Sequence, residues 1–265
     1  MEHSAYHLLG TQIDGYTLEK LLTHSEHNLT FSGRVVSNLR RVVVKLAYKP
    51  CTDLERHTPA CYGLAAEYAV GRLLYRHSLQ VPQPLALGHV SGQAYMAQES
   101  IAGNTLHTLV IRRALSASTL LRIIDQVAET LAAAHGLSLV HHDVKPKNII
   151  VTPRDRAYLI DWGGGARIRP LNQRSPYVVY TPAYAAPEQL AGQVLAANDI
   201  YALGRTLEEC WPSQIAAIRP IVHRATARLG RRYAGMDELR LALWMLREPD
   251  PSVWGCGRQG LAIGT

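Results

Sequence analysis

The chain has 265 residues, 47% of them apolar and 18% charged, an ordinary globular composition and not that of a disordered chain, with room for one large domain or two lobes sharing a core. A net charge of +7 favours anionic partners (nucleotide phosphates, acidic proteins, nucleic acid or anionic membrane) without choosing among them. The four cysteines, Cys51, Cys61, Cys210 and Cys256, form no C-x-x-C pair, which argues against a zinc site or disulfide framework, and no apolar run approaches the ~18 residues of a membrane span.

In chain order, MEHSAYHLLG lacks the basic-then-apolar order of a secretory leader, so a cytoplasmic location is expected. Residues 15–22 (GYTLEKLL), 29–36 (LTFSGRVV) and 40–48 (RRVVVKLAY) read as short strands separated by polar turns. Residues 59–77 read as a helix that starts at Pro59 and carries Leu64, Tyr68 and Leu74 on one stripe. AYMAQES (94–100) reads as a further strand. Residues 116–136 form the clearest helix, with Leu120, Ile124, Val127, Leu131 and Ala134 on one face and Gly136 expected at its C-cap. NIIV (148–151) and AYLI (157–160) are short apolar strands around a polar turn. Helical patterns return at 198–210, 214–228 and 236–247, and the stretch from 250 shows no period. A small strand-rich lobe followed by a larger helical one is the expected outline.

The chemistry gathers in loops. Asp143 and Asn148 lie between the long helix and NIIV, and Asp161 follows the next apolar strand. Three oxygen-bearing side chains therefore end at the mouths of neighbouring strands. Magnesium takes such ligands and shares them with phosphates. A free carboxylate can accept a hydroxyl proton, and Lys145 can reach a transferring phosphate as a point charge. For any one aspartate alone, a solvated charged turn is the competing reading.

Order and spacing tie these residues together. HHDVKPKN (141–148), DWG (161–163) and APE (186–188) resemble the H-R-D-L-K-x-x-N, D-F-G and A-P-E motifs of the eukaryotic-like (Hanks-type) protein serine/threonine kinase family, most of all its compact bacterial members. VVVK (42–45) resembles that family's V-A-I-K lysine motif, with Glu67 in the following helix. DIYALG (199–204) and RRYAGMDEL (231–239) extend the resemblance over about residues 16–247. It implies an α+β, bilobal protein-kinase-like fold: a small antiparallel N-lobe sheet with one helix (about 12–99) and a larger, mostly α-helical C-lobe (about 100–249). The kinase domain would then fill residues 1–249, and 250–265 would be a tail.

The resemblance also implies roles. Lys45 would hold ATP phosphates and pair with Glu67. Asp143 would orient the substrate hydroxyl or accept its proton, and Asn148 and Asp161 would hold Mg. Lys145 would stabilise the transferred phosphoryl group. Gln98 would be the gatekeeper of the adenine pocket, with backbone groups of Glu99 and Ile101 meeting the adenine edge. Thr181 would face the catalytic aspartate, which with Lys145 points to a Ser/Thr acceptor on a protein substrate. Glu188 would pair with Arg232, or with Arg231 beside it. Asp199 would accept N–H groups of the catalytic loop, and His141 would be structural.

Three departures stand out. Where the family has G-x-G-x-x-G, the stretch LTHSEHNLTFSG (22–33) holds only the late Gly33. His24, Ser25, His27 and Asn28 could donate to phosphate there, or form a plain polar hairpin tip. His142 replaces the arginine of H-R-D and is a poor phosphate partner, so activity is expected not to need activation-segment phosphorylation. Trp162 replaces the phenylalanine of D-F-G, and its indole is expected to fill space left by Gly71.

Three readings follow. The first is an active Ser/Thr protein kinase using ATP and Mg. The second is a pseudokinase acting as a nucleotide-binding or scaffolding module, and the third a small-molecule kinase. No nucleic-acid motif accompanies the net charge.

Overall fold

The computed structural model describes residues 6–25, 28–48, 59–176, 178–211 and 215–247. The stretch from 250 onward, which the sequence leaves as a tail, lies outside them, as do His27 and Tyr177.

The first half builds one antiparallel sheet of six strands: β1 (Gln12–Ile13), β2 (Tyr16–His24), β3 (Asn28–Val35), β4 (Arg41–Ala47), β5 (Pro84–Val90) and β6 (Gln93–Glu99), in the spatial order β1-β2-β3-β4-β6-β5. Helix α1 (Pro59–Arg76) connects β4 to β5 and packs against β4, β5 and β6. Alternation along the strands sorts their side chains. Val42, Val44 and Leu46 of β4 join Leu18, Phe31, Tyr95 and Ala97 in one apolar cluster. Ala47, Ala94 and Met96 join Leu64 of α1 in another. Lys45 follows Val44 on β4 and therefore faces the α1 side, opposite Met96 in register. Gln98, two residues along from Met96, shares that side.

Gly33 is a structural necessity of the sheet. A Cβ on it would sit 2.3 Å from the carbonyl oxygen of Thr17 on β2, where the β2–β3 register shifts. It serves strand pairing, not a phosphate loop. The β2–β3 tip closes on itself: Ser25 N donates to Asn28 O at 2.9 Å, and Asn28 N donates to Ser25 Oγ at 2.9 Å. The His24 ring lies 5.7 Å from that of Tyr48.

The second half is mostly helical: α2 (Leu106–Ile111), α3 (Ala117–Gly136), α4 (Pro187–Leu190), α5 (Ala196–Cys210), α6 (Arg219–Ala225) and α7 (Met236–Arg247). Short strands punctuate it: β7 (Asn104–Thr105), β8 (Leu139–Val140), β9 (Ile149–Val151), β10 (Ala157–Leu159) and β11 (Ala166–Arg167). Helix α3 is its axis. Ser116 caps it by accepting from Thr119 N, and Leu120, Ile124, Val127 and Leu131 are buried. They join Leu203 and Leu207 of α5 and Leu239 and Leu243 of α7 in one core. No helix among the described residues is long and apolar enough to cross a membrane.

Two expectations are corrected. Gly136 is still helical; Leu137 is the cap, and Ser138 takes the left-handed turn with φ +60°. Trp162 does not fill the space beside Gly71: the atom nearest a Cβ there is Pro84 Cγ, at 2.9 Å. The edge-strand proline occupies that gap, while Trp162 is buried in the helical core, with Nε1 donating to Leu159 O at 3.1 Å.

Candidate active site

The site lies between the sheet and the helical half and holds two charged knots, the first of which joins the halves. In the first, Lys45 Nζ donates to Glu67 Oε1 and to Asp161 Oδ1, both at 2.6 Å. The pattern of β4 buries Lys45, and α1 brings up Glu67, itself buried. Burial alone would push the Lys45 ammonium down, but Glu67 and then Asp161 outweigh it and hold the charge on. Lys45 in turn holds the Asp161 carboxyl below its ordinary value. Asp161 is left-handed, with φ +65°, a conformation aspartate tolerates better than most residues. Its side chain stays 44% exposed.

The second knot surrounds Asp143. Thr181 Oγ1 donates to Asp143 Oδ1 at 2.6 Å, and Lys145 Nζ reaches Asp143 Oδ2 at 2.6 Å and Thr181 Oγ1 at 2.8 Å. Asn148 Nδ2 donates to Asp143 O at 2.9 Å and to Oδ2 at 3.2 Å. With its amide nitrogen so used, Asn148 keeps Oδ1 as a spare acceptor, without a hydrogen bond among the described residues.

A buried frame holds this loop. Asp199 Oδ2 and Oδ1 accept the N–H groups of His141 and His142, each at 2.8 Å, and His135 Nε2 lies 2.9 Å from Oδ2. Burial works against ionising Asp199, but the bond and charge of His135 outweigh it and its pKa is lowered. His141 Nδ1 accepts from Asp143 N at 3.2 Å, which puts its proton on Nε2, 3.0 Å from Ile160 O. The Trp162 ring meets His141 at 4.6 Å, tilted 66°. Glu188 and Arg232 pair through both carboxylate oxygens, with Arg232 Nη2 at 3.1 Å from Oε2, so Arg232 and not Arg231 is the partner.

His142 is nearly sealed from solvent, 3% exposed, with φ +69°. Asn198 Nδ2 stands 3.2 Å from its Nε2. Burial pushes its imidazole below the ordinary value of about 6.5, against an opposing pull from Asp199. Between the folded and unfolded pKa values the unfolded chain binds more protons, so stability rises with pH. This contribution is complete above about pH 6.5 and lost as pH falls through the lower folded pKa. Melting midpoints are expected to drop from about pH 7.5 to pH 5, less steeply in His142→Gln. Parallel slopes for the two proteins would contradict the assignment.

At the end of β6, Gln98 is buried on the Lys45 side of the sheet. The Glu99 N–H is taken by Gln83 O at 2.8 Å, and its carboxylate by Arg40 at 3.2 Å. The Ile101 N–H has no partner among the described residues.

Two residues of the frame escape sequence reasoning. Gln189, 1% exposed, donates from Nε2 to His142 O at 2.7 Å and to Val179 O at 3.2 Å, tying catalytic loop to activation segment. Asn198, fully buried, bonds Gln193 O at 2.8 Å besides His142. Their only local signal is position, directly after A-P-E and directly before Asp199.

The donor set suits magnesium shared with phosphates. Asn148 Oδ1 and the Asp161 carboxylate are hard oxygen donors, and such ions use one or two protein ligands plus phosphate and water. Among the described residues no group of three or more His, Cys, Asp or Glu side chains forms a dedicated cage.

Comparison with known proteins agrees with the geometry. Residues 75–216 match the protein kinase domain. The serine/threonine-protein kinase pkn3 of Myxococcus xanthus is 33% identical over 202 residues, 71% of this chain and 36% of that protein. PknD of Mycobacterium tuberculosis (strain ATCC 25618 / H37Rv) is 32% identical over 205 residues, 76% of this chain and 30% of that one. PknA of Corynebacterium glutamicum is 30% identical over 200 residues, 71% of this chain and 41% of that one. The chain belongs to the protein kinase family. It spans well under half the length of these relatives.

Proposed function

We propose that the protein is an ATP-dependent serine/threonine protein kinase. The observation that carries this reading is the pair of knots: Lys45 bridging Glu67 and Asp161, and Asp143 bonded to a threonine hydroxyl beside Lys145. The bond from the Thr181 hydroxyl to the Asp143 carboxylate supports that role for Asp143: it accepts the hydrogen bond of an alcohol. An acceptor Ser or Thr placed there would have its proton directed at the carboxylate. Lys145, within reach of both, offsets negative charge as the phosphoryl group moves. Lys45, kept charged by its two acids, binds the nucleotide phosphates, and the Ile101 N–H is the open donor for the adenine edge beside Gln98. Asn148 and Asp161 would hold Mg, which neutralises phosphate charge when bound. Catalysis of this type is positioning and electrostatics, and the Asp199 frame supplies the rigidity it needs.

The experiment is label transfer from γ-labelled ATP with Mg, to the protein itself and to added protein substrates, with Asp143→Ala alongside. Transfer that vanishes in the variant supports the reading. Nucleotide binding without transfer in either protein would favour a pseudokinase, a reading to which the self-closed, glycine-poor β2–β3 tip lends its one observation.

Activation-segment phosphorylation is not needed in this reading. The residue in the phosphate-binding position of H-R-D, His142, is buried and hydrogen bonded to Asn198, and Gln189 pins the segment through Val179 with neutral bonds. Replacing Ser175 by Ala and Tyr177 and Tyr180 by Phe together is expected to keep activity within about threefold, since no charge-assisted anchor is lost. A tenfold or greater fall in kcat/KM would show the opposite.

A further inference from the structure

From Trp162 to Pro187 the chain carries Arg167, Arg169 and Arg174 and no acidic residue. All three are exposed, and none forms an ion pair among the described residues. The backbone beneath them is pinned: Ile168 N donates to Ser138 O at 2.9 Å, Arg169 N to Val194 O at 3.0 Å, and Ser175 N to Gly192 O at 2.8 Å. Among the described residues the one side-chain bond in the set, Arg169 Nη1 to Arg174 O at 3.5 Å, goes to a neutral carbonyl. A fourth exposed cation, Lys147, with no ion pair among the described residues, sits in the 3₁₀ turn Pro146–Asn148, between Asp143 and Asn148.

The acids nearby do not answer these charges. Asp161 is held by Lys45, Asp143 by Lys145 and Glu208 by Arg205. Glu209 takes the Tyr184 hydroxyl. The segment that delivers Thr181 to Asp143, and the turn that carries Asn148, therefore present a one-signed field to whatever approaches the carboxylate. Like-charged partners are repelled by such a surface and opposite-charged ones are steered onto it.

We infer that the acceptor protein presents acidic side chains around its phosphorylated Ser or Thr. The inference rests on the kinase reading above. Three matched peptides, each with one serine flanked by Glu and Asp, by Gln and Ala, or by Lys and Arg, test it against the full chain. The acidic peptide is expected to exceed the basic one by about tenfold or more in kcat/KM. The margin should shrink between about 0.05 and 0.5 M salt as the field is screened. Lys147→Glu, and Arg167→Glu with Arg169→Glu and Arg174→Glu, should raise KM for the acidic peptide and leave both kcat and the neutral peptide unchanged. Preference for the basic or neutral peptide, or an acidic preference that survives both reversals, overturns the inference. If no peptide is phosphorylated, fluorescence anisotropy of the same labelled peptides with the Asp143→Asn protein decides. Tighter binding of the acidic peptide sustains the surface while the kinase reading fails; equal affinities overturn both.

Discussion

Asp143→Asn is expected to lower the rate of phosphoryl transfer by about 10²–10⁴-fold, the range that removal of a positioned proton acceptor costs. The substitution is nearly isosteric, so Thr181 and Lys145 keep a polar neighbour, and the loss reports charge and basicity more than shape. Nucleotide affinity should hardly change, because the Asp143 knot does not touch Lys45. Lys45→Met makes the contrast. It would remove the phosphate contact proposed for Lys45 and leave Glu67, 4% exposed, without its cation, so affinity and turnover should fall together. Titration with a fluorescent nucleotide beside a label-transfer assay separates the two. An Asp143→Asn protein as active as the parent would remove Asp143 from the role proposed for it.

Much of the outline was legible because it lives in local pattern. The stripe Leu120, Ile124, Val127, Leu131 announces α3, and β-branched runs announce β3 and β4. The two knots were legible for a different reason. Lys45, Glu67, Asp143, Asn148 and Asp161 are scattered along the chain, and their order and spacing, not any single residue, carried the reading. What stayed hidden depends on packing between distant segments. β5 opens with a proline and holds a glycine, poor strand formers that an edge position tolerates. Gly136 looked like a cap, yet the reversal falls on Ser138, because helix termination follows where the chain must turn toward β8. The gap beside Gly71 belongs to Pro84, thirteen positions away and on another strand, and no pattern around Trp162 could report that. Gln189 and Asn198 are ordinary polar residues by type. Only burial against His142 makes them part of the frame.

The second large effect is expected on stability. Arg232 and Glu188 have side chains only 2% and 8% exposed, and the guanidinium also donates to Ala227 O at 2.7 Å and Ala197 O at 3.1 Å and lies 4.9 Å from the Tyr201 ring. Glu188→Ala would leave that cation buried with two carbonyls and the Tyr201 ring but no counter-charge, at an expected cost of about 3–5 kcal/mol in chemical denaturation. Replacing both partners, Glu188→Leu with Arg232→Met, should cost less than the sum of the single changes, because no unpaired charge remains. A single substitution costing under about 1 kcal/mol would show the pair to be solvated in solution. The position of Glu188 adds a kinetic consequence. It neighbours Gln189 on the short helix α4, whose two amide bonds hold His142 O and Val179 O. Loosening α4 therefore releases the activation segment from the catalytic loop. Under conditions where Glu188→Ala remains folded, KM for a protein substrate should rise while nucleotide affinity holds, since Lys45, Glu67 and Asp161 lie outside that chain of contacts.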